Sequence, residues 1–344
     1  MPSTQIRFHD PQIEMAHGAG GKATRRLIEG LLAPVLGGPL LDSLGDAAFV
    51  EMGGARIALT ADSFVVRPLR FPGGSIGDLA VNGTVNDLAV GGAKPLALLV
   101  TLILEAGLST EALEIELRAI ASAACRAGVT VVGGDTKVVE HGKADGMYIT
   151  TAGIGLADSR LRCSPAAVRP GDRVLLSGPI GDHGITILLA RGEIDLEADL
   201  CSDTRSVFPM VERLVERVGK SVRWMRDPTR GGVASALNEL AADTRLGVVV
   251  SEERIPVRDE VRGACELLGL EPMHIANEGQ FLAVVAPEDA DAALDAVRSV
   301  PGGEGAVIIG EVREQPARTV LAASAYGGSR VVDMLVGDPL PRIC

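Results

Sequence analysis

Aromatic residues make up only 3% of the chain and no basic stripe accompanies them, so it offers neither a stacking platform nor a cationic groove for nucleic acid. A formal charge of −12 also opposes contact with a polyphosphate backbone. Long apolar runs are missing too: the strongest, Leu96 to Leu104, is interrupted by Thr101 and falls well short of a bilayer span. The first residues, with Arg7, His9, Asp10 and Glu14, form no apolar signal core, so a cytoplasmic protein is expected. The five cysteines are an odd number with no close pair, which excludes a disulfide framework or a zinc knuckle and predicts free thiols. Lysine and asparagine are scarce, and Lys22, Lys137, Asn82, Asn86 and Asn277 fall in or beside the polar segments described below.

What is present is a globular composition. The 344 residues are 47% hydrophobic and 23% charged, with 42 glycines along the whole length, enough for two cores joined by many tight turns. Residues 55–66 predict a strand closed by Arg67-Pro68, and a helix follows with Ser75 as its cap, placing Asp78, Asn82 and Asn86 on one stripe. That helix is expected to run to Lys94-Pro95, with a buried strand from Pro95 to Glu105, a second helix capped by Ser109, and strands over 129–132 and 147–156. After a boundary around 156–170, strands and helices alternate again, so the class is α/β or α+β.

Four aspartate segments stand out: Gly45-Asp46-Ala47, Thr60-Ala61-Asp62-Ser63, Gly83-Thr84-Val85-Asn86-Asp87 and Gly133-Gly134-Asp135-Thr136-Lys137. Each is expected at the end of an element, beside glycine or a hydroxyl, where backbone approaches a ligand closely. Taken singly, each reads more readily as a turn aspartate than as a ligand. Converging carboxylates would hold Mg²⁺ together with nucleotide phosphates. The loop Ala16-His17-Gly18-Ala19-Gly20-Gly21-Lys22 precedes a helix and offers N–H groups to phosphate, although Ala16 and Ala23 break the P-loop pattern. Arg226-Asp227-Pro228-Thr229-Arg230-Gly231-Gly232 supplies two guanidiniums and a carboxylate. Gly181-Asp182-His183-Gly184 and Asn277-Glu278-Gly279 are polar-glycine clusters that need partners if buried. The chain closes on Pro339-Leu340-Pro341-Arg342-Ile343-Cys344, where two prolines stiffen an arm carrying a reachable thiol.

Together these segments resemble the carbamoyl dehydratases of hydrogenase maturation, the HypE family, within the superfamily of aminoimidazole ribonucleotide synthetase and selenophosphate synthetase. The resemblance spans nearly the whole chain. It implies a two-domain fold of the aminoimidazole ribonucleotide synthetase (PurM) type: residues 1–160 bind ATP and Mg²⁺ and dimerise through their sheet, 161–325 form a second α/β domain, and 326–344 form a flexible tail. By the same resemblance Asp46, Asp62, Asp87, Asp135 and Asp227 hold Mg²⁺ or face the nucleotide, and Gly20, Gly21, Lys22, Asp62, Asn86, Thr136 and Arg230 bind ATP. The family's terminal cysteine, Cys344 here, receives a carbamoyl group from a HypF-type carbamoyltransferase. ATP-driven loss of water leaves a thiocyanate, whose cyanide passes to iron on a HypC–HypD scaffold. One departure is Ser75, where the family's pattern has Asp or Asn; as a helix cap serine serves equally well.

The chemistry asks for the same parts. A carbamoyl oxygen is a poor leaving group, so it must be phosphorylated before it departs, and a base must take the nitrogen protons as the C≡N bond forms. Glu278 is the expected base, with Lys137 orienting the carbamoyl or phosphate oxygens; the bland alternatives are a strand-start residue and a salt-bridge partner. Two rivals remain at this level. One is another synthetase of the superfamily, of the selenophosphate or aminoimidazole ribonucleotide type; the selenophosphate enzyme keeps its reactive cysteine or selenocysteine in the N-terminal glycine loop, where this chain has none. A non-catalytic carrier of Cys344 would not need five aspartates.

Overall fold

The computed structural model describes residues 8–37, 45–161, 163–192, 198–337, 340 and 342–344. Pro339 and Pro341, expected to stiffen the terminal arm, lie outside the described residues. The first half runs α1 (Lys22–Leu27), α2 (Ala33–Leu36), β1 (Ala48–Met52), β2 (Ala55–Phe64), β3 (Arg70–Phe71), β4 (Gly74–Ser75), α3 (Ile76–Val90), β5 (Ala93–Glu105), α4 (Thr110–Ala127), β6 (Thr130–Val139) and β7 (Met147–Ala157). Its five-stranded sheet has the order β1-β2-β7-β5-β6, antiparallel except for the parallel pair β5 and β6.

Helices α3 and α4 cover one face of this sheet with Leu79, Ile120 and Ala123, which pack among Leu98, Leu102, Met147 and Ile149. The expected cap is in place: Ser75 Oγ accepts the Gly77 N–H at 3.2 Å. The helix stops at Val90 rather than at Lys94, because Gly91-Gly92 turns the chain, with Gly92 at φ +90°, and β5 is already under way at Ala93. Strand β6 extends seven residues past the expected Val132, so Asp135, Thr136 and Lys137 lie within a strand and not at its end. A methyl group on Gly134 would lie 1.6 Å from the Val100 carbonyl oxygen, so that glycine serves close strand approach and not a turn. Among the described residues the other face of the sheet has no helix on it and leaves Leu59, Leu99, Ile154 and Leu156 exposed.

The second half runs β8 (Arg173–Leu176), α5 (Asp182–Ala190), α6 (Phe208–Val218), β9 (Val222–Arg226), α7 (Gly232–Thr244), β10 (Gly247–Ser251), α8 (Asp259–Leu268), β11 (Leu282–Val285), α9 (Ala290–Arg298), β12 (Val307–Arg313), β13 (Val320–Ala323) and β14 (Ser329–Val332). The sheet order is β14-β13-β10-β12-β8-β11-β9. Helix α7 buries Val233, Leu237 and Leu240 on one face, and α6 with α9 buries Leu214, Val211 and Val297 on the other.

The reading of 326–344 as a flexible tail needs correction, because Ser329–Val332 pairs antiparallel with β13 as the edge strand of the second sheet. The arm therefore begins at Asp333. Its tip is packed as well: Leu340, Ile343 and Cys344 are buried in the core shared with Phe64, Val66 and Ile185, so the arm lies between the two halves. Apolar anchors and backbone hydrogen bonds hold it there despite its irregular path.

Candidate active site

Asp46 precedes β1, Asp87 lies near the end of α3, and Asp227 follows β9; one carboxylate oxygen from each lies within 4.8 Å of the others. Thr60 Oγ1 donates to Asp87 Oδ2 at 2.8 Å. Arg226 bridges Asp46 at 3.1 Å and Glu239 at 2.8 Å. Burial pushes the Asp87 carboxyl well above its ordinary range, and the charges of Asp227, Asp46 and Asp62 push it further. Burial and then Asp46 raise Asp227 to about 8, and burial raises Asp46 despite Arg226. Three mutually repelling carboxylates, all oxygen donors, form a set that suits a hard divalent cation such as Mg²⁺, which would relieve the repulsion.

Asp62 alternates onto the same, helix-covered face of β2 as Thr60, and its Oδ1 lies 3.9 Å from Arg230 Nη2. Glu278 adjoins this group from the second half. It is only 3% exposed, and its Oε1 has no hydrogen-bond partner among the described residues. Burial, followed by the charges of Asp227, Asp203 and Asp62, drives its carboxyl well above the usual range.

Two residues that the sequence did not single out for roles hold this turn in place. Asp203 accepts the N–H groups of Glu278 at 3.0 Å and Gly279 at 3.1 Å, and burial lifts its own carboxyl to about 6. Asn277 accepts from Gly181 N at 2.7 Å and donates to the carbonyls of Pro228 at 2.9 Å and Ile275 at 3.0 Å, which ties three polar-glycine segments together. The run Ser202-Asp203-Thr204-Arg205 was the available signal for the first, but nothing in its spacing marks a partner some 75 residues away.

Other expected ligands are placed differently. Asn86 donates to the carbonyls of Arg205 at 3.0 Å and Glu278 at 3.2 Å and accepts from Val207 N at 2.8 Å, so its amide is occupied in joining the halves. In the glycine loop the N–H groups of Lys22 and Ala23 are taken by the carbonyls of Leu335 and Val336 at 2.9 and 3.2 Å, and Lys22 Nζ pairs with Asp333 at 2.6 Å. Gly20 and Gly21 are there for close approach: a methyl group on Gly20 would lie 2.8 Å from Arg230 Cβ, and one on Gly21 2.4 Å from the Leu335 oxygen. The loop thus receives the root of the arm, and those donors are not presented to a phosphate.

Asp135, Thr136 and Lys137 do not join the group within one chain. Asp135 and Lys137 pair with each other at 2.8 Å in the open. They alternate onto the helix-free face, opposite to Asp62, on a strand three places from β2, roughly 14 Å away. The Thr136 N–H is bonded to Asp135 Oδ1 at 2.8 Å.

The arm's tip docks on the chain just past β2. Val65 N donates to the Cys344 carbonyl at 3.0 Å, and Val65 is three strand-like steps past Asp62, roughly 10 Å. Arg191 Nη2 and the Arg67 N–H donate to the Arg342 carbonyl at 2.7 and 3.4 Å, while Arg342 pairs with Asp145. Leu340 seats against Gly184, where a methyl group would come within 3.4 Å of its Cδ1. The five cysteines form no disulfide, and among the described residues no helix is long and apolar enough to cross a membrane.

Two halves joined at a carboxylate cluster define the class. Residues 44–157 match the N-terminal domain, and residues 169–322 the C-terminal domain, of the AIR synthase related proteins. Within that class, the chain is 47% identical over 341 residues to the carbamoyl dehydratase HypE of Azotobacter vinelandii, covering 99% of this chain and 100% of the relative. Among solved structures, a HypE–HypF complex superposes with a TM-score of 0.85 at 42% identity, covering 90% of this chain and 99% of that one. A HypE in complex with ATP superposes with a TM-score of 0.81 at 43% identity, covering 97% and 100%. The chain belongs to the carbamoyl dehydratase HypE family.

Proposed function

We propose that this chain is an ATP-dependent carbamoyl dehydratase acting on its own Cys344 in hydrogenase maturation. The observation that carries this reading is the docked arm, whose end bonds the chain just past the strand of Asp62, in a molecule that also buries the Glu278 carboxyl with its Oε1 unbonded among the described residues. A HypF-type carbamoyltransferase loads the thiol, as the solved HypE–HypF complex suggests for this family. In the reaction the S-carbamoyl oxygen attacks the outer phosphoryl group of ATP and displaces ADP, the phosphorylated oxygen then leaves as phosphate, the nitrogen gives up two protons over the two steps, and an S–C≡N group remains. Glu278 is suited to take a proton from nitrogen, because a carboxyl raised by burial is a stronger base than an exposed one. Asp46, Asp87 and Asp227 would hold Mg²⁺, which neutralises phosphate charge when bound. Arg230, beside Asp62, would face the phosphates.

A homodimer through the helix-free face is part of the proposal. It covers Leu59, Leu99 and Ile154, and it gives the partner's copies of the exposed Asp135 and Lys137 a route to the nucleotide. The cyanide then passes to iron on a HypC–HypD scaffold in the cytoplasm. The test is mass spectrometry of the C-terminal peptide with transferase, carbamoyl donor and ATP. A carbamoyl adduct that then loses one water supports the reading, whereas an adduct that persists in folded, nucleotide-binding protein overturns it.

A further inference from the structure

His183 does not touch the carboxylate cluster, yet it is completely buried and every polar atom of its ring is engaged. Its Nε2 lies 2.7 Å from the Ile343 carbonyl oxygen and its Nδ1 2.7 Å from Ser202 Oγ. A carbonyl can only accept, so Nε2 carries the proton and Nδ1 accepts from the serine hydroxyl. Ser202 Oγ in turn accepts the Thr204 N–H at 3.1 Å, and Ser202 N donates to the Pro72 carbonyl at 2.9 Å, which fixes the hydroxyl. The Phe71 ring meets the imidazole edge-on, with centroids 5.6 Å apart. With the arm docked, tautomer and ring plane are both set.

The bond to Ile343 fixes the peptide plane before the Cα of Cys344, and the bond from Val65 N to the Cys344 carbonyl fixes the group after it. With both sides held, χ1 is the main freedom left to the sulfur. Both bonds are made to backbone, so the clamp is the same whether the sulfur carries hydrogen, carbamoyl or cyanide.

We propose that His183 is a positioning residue of the reaction, acting through the Ile343 carbonyl to hold the loaded Cys344 in register with the nucleotide. The proposal rests on the dehydratase reading for its kinetic consequence, but arm docking can be measured apart from it. In the full chain with transferase, carbamoyl donor, ATP and Mg²⁺, His183→Ala is expected to acquire the carbamoyl group normally and to bind ATP with unchanged KM. Its single-turnover rate of water loss is expected to fall by roughly tenfold or more, the scale on which a displaced reacting group loses rate. His183→Gln, whose amide N–H reaches toward the same carbonyl, is expected to restore most of it. Without any reaction, iodoacetamide should label Cys344 faster in His183→Ala than in the parent chain.

Native dehydration together with native labelling in His183→Ala overturns the proposal. If the parent chain itself never loses water, the dehydratase reading falls, and the labelling comparison still decides whether His183 holds the arm. Should His183→Ala fail to fold, Ser202→Ala frees the imidazole to reorient and decides in its place: slower water loss and faster labelling support the proposal, and native values of both overturn it.

Discussion

Asp87 has three acidic neighbours and one hydroxyl donor, and so it is the residue at which function and stability oppose each other most directly. Asp87→Asn keeps the shape and the Thr60 contact while removing one repelling charge. Without Mg²⁺ the variant is expected to melt higher than the parent; with Mg²⁺ the order should reverse, and ATP-dependent water loss should drop on the order of 10²-fold, as thermal melts and peptide mass can check. Glu278→Gln is expected to leave carbamoylation intact and slow water loss by about 10²- to 10⁴-fold, the usual contribution of a general base. The buried imidazole of His183 makes a pH statement. Burial lowers it from 6.5 to about 4, so between those values the unfolded chain binds a proton that the folded chain refuses, and its contribution to stability declines as pH falls from about 6.5 to about 4. Urea midpoints should therefore fall more steeply with acid over that range in the parent than in His183→Gln. Asp203, raised to about 6, has the opposite slope and is common to both chains.

At the scale of elements, the glycine loop and the arm explain each other. Gly21→Ala places a methyl group 2.4 Å from the Leu335 oxygen, so the arm's root has to shift. The expected outcome is a stability loss of about 1–3 kcal/mol, as for overpacking elsewhere, together with faster labelling of Cys344. Elements whose cues are local were legible in the sequence: the Ser75 cap of α3, the Ser109 cap of α4, and the alternation of strands and helices. What escaped depended on distant partners. Gly133-Gly134 looks like a strand end unless one knows that Val100 presses against it, and residues 329–332 look like tail until β13 is beside them. The aspartates were visible as candidates, but which of them meet is set by sheet order and face. That separates Asp46, Asp62, Asp87 and Asp227 from Asp135. Helix α6 was missed although Met210, Val211, Leu214, Val215 and Val218 are spaced for one buried face.

For the whole molecule, the proposed homodimer rests on the helix-free face of the first sheet. Leu99 is 47% exposed at its centre, and a charge there is expected to keep the protein monomeric without disturbing the fold. Leu99→Glu should elute as a monomer in light-scattering chromatography and lose water-loss activity; a fully active monomer would refute a shared site. Chains carrying Lys137→Ala and chains carrying Cys344→Ala are each expected to be inactive alone, and mixing them should recover part of the activity if lysine and thiol act across the interface.

Burying Cys344 to 8% exposure has a chemical benefit that is separate from catalysis. Peroxide attacks thiolates that water can reach, and here Cys125 and Cys201 stand on the surface while the arm's sulfur is shielded. Under mild oxidative stress those two should become sulfenic acids first, leaving the one sulfur the cycle depends on in reduced form.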